Sequence, residues 1–423
     1  MRTTEFKDTE LGPIPKDWEV KRLGEVATRI GVGLATSVTQ YYRNEGTVLF
    51  RNLNIKPGRL DDQDVLYLDD VFAKSQPGKL IHEGDVLSVH TGYVGISCVV
   101  PKKYEGSLSF TTLITTPNRD NLLSEYMVVY MNSDLGAGEV ESLQSSGGRS
   151  NLNVAEFERL RIALPPLPEQ RRIAAALGDV DKLIENLKKR VEKKKNLKRG
   201  AMQELLTGKR RLKGFTGAWV EKGFDEVFEL RRNNTCARAL MSEIKGAVHN
   251  LHYGDVLIKY GAVVDCEEAQ IPFLTEAGGK VAPKDYLEDG DVVIADTAED
   301  ETAGKVVEVR GVGDRLVVSG LHTIFCRPRF PFAIGWLGYW MNSNSYHDQL
   351  IALMTGIKVL SLSRSSFKQT KIMYPPLPEQ RAIAAVLSDM DAEIANLEHK
   401  LKKMTLLKQG MMQDLLTGKV RLA

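Results

Sequence analysis

A segment of 48 residues occurs twice in this chain without a gap. The first copy, PPLPEQRRIAAALGDVDKLIENLKKRVEKKKNLKRGAMQELLTGKRRL, runs from Pro165 to Leu212; the second, PPLPEQRAIAAVLSDMDAEIANLEHKLKKMTLLKQGMMQDLLTGKVRL, runs from Pro375 to Leu422. The offset of 210 residues is about half of the 423-residue chain, so the architecture has to accommodate one structural unit twice.

Each copy reads as one long helix. Pro168 and Pro378 suit the first helical position, where a missing N–H costs nothing, and Glu169 and Glu379 put negative charge in the first turn. Apolar residues then alternate at spacings of four and three. They are Ile173, Leu177, Val180, Ile184, Leu187 and Val191 in the first copy, and Ile383, Leu387, Met390, Ile394, Leu397, Leu401 and Met404 in the second. This is the seam of a coiled coil, flanked by Lys, Glu and Asn. Gly200 and Gly410 predict an interruption, after which Ala201–Leu206 and Met411–Leu416 form a last short turn or two before Gly208 and Gly418. About 40 helical residues span about 60 Å, longer than a compact domain needs, so the two copies are expected to pair.

Lengths set the expected orientation of that pair. The intervening segment of about 160 residues makes a globule roughly 40 Å across, whereas parallel helices in register would hold its ends about 60 Å apart. Antiparallel packing brings the ends together. The expected order is residues 1–164, a first helix at 165–212, a second domain at 213–374, and a second helix at 375–423.

The polar start MRTTEFKDTELGPIPKDWEV has no apolar core for a signal peptide, and no apolar run approaches twenty residues, so a cytoplasmic protein without a membrane segment is expected. A hydrophobic content of 43% supports two or three domains. Cys98, Cys236, Cys266 and Cys326 stand apart, as thiols do in a reducing compartment. The net charge of +2 says little about partners, but nine Lys or Arg face three acids between Val180 and Gly200, including Lys188, Lys189, Arg190, Lys193, Lys194 and Lys195. That stretch reads equally as a solvated helix face or as a phosphate-facing stripe.

Outside the repeats the chain is strand-rich. Alternating segments at Thr47–Phe50, Val65–Leu68, Asp85–Val89, Gly95–Val100 and Arg161–Leu164 predict strands, and Leu23–Arg29 and Ser124–Leu135 predict helices. The middle segment echoes the first. The segment opening at Trp18 returns at Trp219, Gly84-Asp-Val-Leu-Ser returns as Gly290-Asp-Val-Val-Ile, and Phe157 and Phe367 each stand eight residues before a double proline. Between these landmarks the sequences diverge, as in two related domains with unlike loops that bind different things.

Paired PPLPEQR repeats ending in LLTGK, each behind a domain that opens on a tryptophan segment, resemble the specificity subunits of type I DNA restriction-modification systems. The resemblance covers nearly the whole chain. It implies an α+β fold of two related target-recognition domains and two long antiparallel coiled-coil helices in a pseudo-two-fold internal repeat. It further implies a non-catalytic reader of double-stranded DNA in which each domain reads one half of a split, asymmetric target and the helices fix the gap. The helices would also dock two modification subunits that carry S-adenosylmethionine and methylate adenine N6, with restriction subunits able to join. No cofactor is then expected in this chain itself.

Residue types suited to base and phosphate contacts single out Arg43, Arg51, Asn52, Asn54, Lys56, His90, Tyr93, Arg149 and Asn151 in the first domain. The second offers Arg231, Arg232, Asn233, Asn234, Lys259, Tyr260, Lys358 and Arg364. Taken singly, each is read more readily as a solvated loop residue, since loops are polar regardless of function. Catalytic signatures are missing: both double prolines belong to PPLPEQ rather than to an Asn-Pro-Pro-aromatic element, and Gly304-Lys305 is followed by Val306 rather than Ser or Thr. The acidic run Asp296–Glu301 reads as a loop, and the seven His residues show no metal-ligand spacing. Two other classes stay open, an assembly scaffold without DNA readout and a DNA-modifying enzyme with an unrecognised motif.

Overall fold

The computed structural model describes residues 5–144, 151–275 and 282–422. The chain divides into two compact units, one formed by Met1–Lys188 with Lys400–Ala423, the other by Lys189–His399.

In the first unit an antiparallel sheet runs in the order Ser97–Val99, Val86–Val89, Thr112–Pro117, Ala27–Val32. A second sheet runs Leu80–Ile81, Ser107–Phe110, Thr47–Arg51, Leu66–Leu68, Tyr42–Arg43, with one parallel pair between Ser107–Phe110 and Thr47–Arg51. The second unit repeats this plan. Its first sheet runs Val306–Arg310, Val292–Ala295, Thr323–Pro328, Phe228–Arg231, with Val263–Asp265 added in parallel at one edge. Its other sheet runs Leu316–Ser319, Val248–Leu251, Phe273–Leu274, Met241–Ser242, and again the first pair is parallel. The tryptophan echo has the same meaning in both units: the strand after Trp18, Glu19–Arg22, pairs with Arg161–Leu164, and the strand after Trp219, Val220–Gly223, pairs with Lys371–Tyr374. Opening and closing strands thus meet just before each double proline.

Most expected strands form within a residue or two of their predicted bounds. The expected helix at Leu23–Arg29 does not. Only Leu23–Glu25 makes a single tight turn, and Ala27–Val32 is a strand bonded to Thr112–Pro117. Leu23 and Val26 are buried as a helical face would require, but sheet pairing outweighs that short period. The expected helix at Ser124–Leu135 is two helices, Ser124–Met131 and Asp134–Leu143, with Ser133 capping the second through its hydroxyl to the Gly136 N–H at 3.2 Å.

The repeats form helices of 39 and 40 residues, Leu167–Leu205 and Leu377–Leu416. Both begin one residue before the expected proline and run through Gly200 and Gly410 without a break, contrary to the expected interruption. A mid-helix glycine costs about 1 kcal/mol relative to alanine, which the burial of Leu205, Leu415 and Leu416 just beyond outweighs. Along the seam Ile173, Leu177, Ile184, Leu187, Val191, Ile383, Leu387, Ile394 and Leu397 are buried; Val180, Met390 and Leu401 are half-buried.

Within each unit the two helices run antiparallel. In the first, Asp181 pairs with Lys408 at 2.6 Å, and the Arg172 guanidinium donates to the Leu422 carbonyl at 2.6 Å. In the second, Lys194, Lys195 and Lys198 pair with Glu393, Glu398 and Asp391 at 2.7, 2.7 and 2.5 Å. Part of the basic stripe is therefore neutralised by acids of the other repeat.

The motif PPLPEQ builds the joint between sheet and helix. The Gln170 side chain accepts from the Leu123 N–H and donates to the Asn121 and Pro165 carbonyls. Gln380 accepts from the Ala333 N–H and donates to the Pro375 carbonyl. The first core gathers Trp18, Tyr126, Tyr130 and Phe157 around Ile173, Leu177, Leu415 and Leu416. The second gathers Phe224, Trp336, Trp340 and Phe367 around Leu205, Leu206, Ile383 and Leu387.

One buried carboxyl makes the second unit sensitive to pH. Glu308 is fully buried and accepts from the Gly335 and Gly338 N–H groups at 2.9 and 2.7 Å, at the start of helix Trp336–Met341. Loss of solvation pushes its pKa up to about 7 against the backbone N–H groups of Gly338, Gly335 and Leu337, which favour the anion. A carboxyl raised in the folded state binds a proton on folding. Its contribution is fully present below its unfolded pKa, near 4.5, and is lost as pH rises through about 7. Glu308→Gln should therefore gain stability relative to the unsubstituted protein by roughly 3 kcal/mol between pH 4.5 and 8. Denaturant titrations of both proteins across that range give the difference; a pH-independent difference would exclude this group as the source.

Candidate nucleic-acid interface

In the first unit, five expected residues converge on one edge of the domain, beyond the ends of the inner strands Val86–Val89 and Thr47–Arg51. The His90 N–H lies 3.5 Å from the Asn52 side-chain oxygen, the His90 ring nitrogen lies 2.9 Å from the Thr91 hydroxyl, and the His90 carbonyl accepts from the Leu152 N–H. Thr91 is bridged to Asn151, and Tyr93 stands at the tip of the same loop. Lys56 approaches from a small hairpin, Ile55–Lys56 with Arg59–Leu60, whose Gly58 N–H is bonded to the Ser97 carbonyl at the far end of that loop. The edge thus carries Asn52, Lys56, His90, Tyr93 and Asn151. Arg149 lies outside the described residues.

The remaining first-unit residues point elsewhere. Asn54 is buried, and its carboxamide closes its own loop through the Asp61 and Asp64 carbonyls and the Arg51 N–H, so it offers no outward edge. Arg51 is paired with Asp64 at 2.9 Å, and Arg43, on the edge strand of the other sheet, with Asp69 at 3.1 Å.

The second unit makes a corresponding cluster from different residues. The Arg364 guanidinium donates to the Arg231 carbonyl and to the Asn233 side-chain oxygen, at 3.2 and 3.3 Å, and Arg232 beside them is exposed. Lys358 is exposed on a loop closed between Thr355 and Ser361, and Ser361 pairs with Thr297 of the neighbouring loop. Asn234 faces inward, its amide bonded to Asn250 and the Ser319 carbonyl. Lys259 and Tyr260 both turn to the Gln270 carbonyl, away from this cluster, and Tyr260 is buried, which raises its phenol pKa. Of the acidic run, Asp300 is held below its usual pKa by the Thr302 hydroxyl and N–H, as in a self-closing loop. Among the described residues no three His, Cys, Asp or Glu side chains gather as a metal site.

Sequence reasoning missed the arginine that ends each repeat. Arg421 forks onto Glu169 with two bonds of 2.7 Å and onto Asp17 with bonds of 3.0 and 2.7 Å, while the Trp18 indole N–H donates to the same Glu169 at 3.1 Å. That guanidinium also holds the Asp17 carboxyl below its ordinary pKa. Arg211 forks onto Glu379 in the second unit at 2.5 and 2.6 Å. Its signal was available: the ending LTGK-x-R-L is the same in both copies. The two latches differ in the tryptophan, since the Trp219 indole N–H has no acceptor and its ring lies edge-on to Trp336 at 5.6 Å.

The family model for the type I restriction modification DNA specificity domain matches residues 15–194 and 340–406, more than half of the chain. The chain belongs to this family of specificity subunits. Residues 195–339, between the two matched stretches, contain most of the second unit's sheets. The type I restriction enzyme MjaVIII specificity subunit of Methanocaldococcus jannaschii is 23% identical over 98% of this chain and 96% of its own. The crystal structure of the type I restriction-modification S subunit from M. genitalium superposes with a TM-score of 0.59 at 14% identity, covering 94% of this chain and 96% of that one. A chain from a structure of type I restriction-modification complex assembly and conformational transition gives 0.54 at 19%, covering 96% and 99%. At such identities the likeness carries the fold: two related mixed domains and two long helices. As a specificity subunit the chain is the DNA-recognition component, not the enzyme, and works with methyltransferase and restriction subunits. No helix among the described residues is long and apolar enough to cross a membrane.

Proposed function

We propose that this specificity subunit reads a bipartite, asymmetric double-stranded DNA target, one half-site per unit, and brings two adenine-N6 methyltransferase subunits to it. The observation that carries this reading is the duplicated two-sheet plan, four strands of each sheet recurring in the same order, whose matching edges bear unlike polar residues: Asn52, Lys56, His90 and Asn151 in one unit, Arg232, Lys358 and Arg364 in the other. One frame with two chemistries suits two different half-sites. S-adenosylmethionine would reside on the methyltransferase, this chain holding no cofactor of its own, and the complex would work in the cytoplasm.

Methylation mapping of genomic DNA from cells expressing the chain with its neighbouring methyltransferase tests this against cells expressing the methyltransferase alone. A split N6-methyladenine motif dependent on this chain is the expected result. Co-purification with no motif would favour an assembly scaffold, and modification of DNA by the purified chain alone would favour an enzyme. A finer expectation concerns Lys358, exposed on its loop: Lys358→Ala should weaken binding alike on matched and mismatched DNA and reduce the salt slope of log K by about 1. A loss confined to one base pair would make it a base reader instead.

A further inference from the structure

At its polar edge each unit carries one bulky apolar side chain that is almost wholly exposed, against about half for Leu53 and Val359 nearby. Tyr93 is 85% exposed and Ile357 is 99% exposed. Single apolar residues on a surface are ordinary, so exposure alone decides nothing. What distinguishes these two is the backbone beneath them. Gly92 and Gly95 bracket Tyr93 with φ of 90° and 91°, and the loop is closed by bonds from the Gly95 N–H to the Val89 carbonyl and from the Val94 N–H to the Gly92 carbonyl, 3.0 and 2.9 Å. A Cβ on Gly95 would come within 2.9 Å of Val140, so the loop rests directly on helix Asp134–Leu143.

Ile357 is held by different means to the same end. Thr355 and Ser361 exchange both backbone hydrogen bonds, at 3.0 and 2.8 Å, and Gly356 has φ of 124°. A Cβ on Gly356 would meet the Val359 carbonyl at 1.9 Å, so only glycine fits there.

The two tips also occupy corresponding ground. In each unit the loop after an inner strand, Val86–Val89 or Val292–Ala295, is bridged to a residue that follows a helix, Asn151 after Asp134–Leu143 or Ser361 after Asn344–Ile351. The bridges are Thr91 to Asn151 and Thr297 to Ser361. Tyr93 stands on the first loop of its pair, Ile357 on the second loop of its own. Val71, Ile244 and Ile258 are comparably exposed, but none stands on either of these bridged loops.

We propose that Tyr93 and Ile357 are wedges that insert between base pairs, one in each half-site, and unstack a base step there. This rests on the reading of the chain as a bipartite DNA reader. Apolar and aromatic side chains kink DNA in this way, and the cost of unstacking depends on the step, so a wedge selects flexible sequence without a hydrogen bond to any base. A tip already fixed by glycines and a closed backbone loses little freedom on insertion. The neighbouring polar side chains, His90 beside Tyr93 and Lys358 beside Ile357, are placed to hold the flanking backbone.

The test uses the full chain in complex with its methyltransferase, on duplexes carrying the mapped motif with 2-aminopurine substituted at one position at a time. The unsubstituted complex should raise fluorescence at one step in each half-site, besides any rise at the methylated adenine, which belongs to the methyltransferase and should persist in every variant. Tyr93→Ala should abolish the rise in one half-site only and lower affinity about 10-fold or more, while Tyr93→Phe keeps both. Ile357→Ser should do the same in the other half-site, and Ile357→Leu should keep it. Unchanged fluorescence and affinity in Tyr93→Ala and Ile357→Ser would overturn the proposal while leaving the bipartite reader intact. So would a Tyr93→Phe variant as weak as Tyr93→Ala, which would make the hydroxyl, not the ring, the contact. A complex without sequence-selective binding would overturn the reader itself.

Discussion

Replacing Arg421 by alanine should lower the unfolding temperature of the first unit by about 6–12 °C. Glu169 is 5% exposed at its side chain, and three N–H donors bind it, two from Arg421 and one from the Trp18 indole. Removing the guanidinium leaves a buried carboxylate with a single donor, which costs about 3 kcal/mol by comparison with other broken buried pairs. For a unit of this size, 1 kcal/mol corresponds to roughly 2–4 °C. Arg211→Ala should act likewise on the second unit, where the Glu379 side chain is 1% exposed. Adding Glu169→Gln to Arg421→Ala should recover part of the loss, because a neutral amide tolerates the site that an unpaired charge does not. Calorimetry of the full chain measures both; a shift below about 2 °C would reduce the latch to a surface ion pair.

Exchange of residues 213–374 for the corresponding segment of another specificity subunit should change one half of the methylated motif and leave the other half untouched. Because each mismatched base pair costs about 1–3 kcal/mol, a half-site of a few base pairs should switch methylation from the old motif to the new by about three orders of magnitude. The loops around His90 and Asn151, to which the proposed reading gives the first half-site, lie outside the exchanged segment. A change in both halves, read out by methylation mapping, would end the assignment of one half-site to one unit.

Legibility varied with the range of the interaction. The long helices were readable because their period of alternating threes and fours extends over forty residues, far longer than noise sustains, and Ile173, Leu177, Ile383 and Leu387 are buried where that period puts them. The helix expected at Leu23–Arg29 failed because seven residues cannot distinguish a helical face from a strand whose partner, Thr112–Pro117, lies some ninety residues away. Gly200 and Gly410 misled for a related reason. A local penalty of about 1 kcal/mol was visible, and the burial that overrides it was not.

For the polar loop residues, composition gave a pool but no positions. Asn52 and Asn54 are two residues apart and chemically identical, yet one lies beside His90 on an outward edge and the other ties its own loop from inside. Only the fold separates them, since the direction of each side chain depends on which carbonyls the tight turn Asn52–Asn54 brings within reach. Repetition was the stronger guide, and it extended further than the helices: the arginine of LTGK-x-R-L recurs because each copy closes the same kind of latch.

The sequence by itself therefore determined the duplicated plan, the two long helices, their antiparallel order and the family, because these rest on periodicity, repetition and chain length, which are properties of order along the chain. Tertiary structure decided which polar residues face outward, which arginine meets which buried glutamate, and where glycine-held tips carry Tyr93 and Ile357. Those depend on partners tens or hundreds of residues away, and on the desolvation each partner imposes, neither of which any local pattern records.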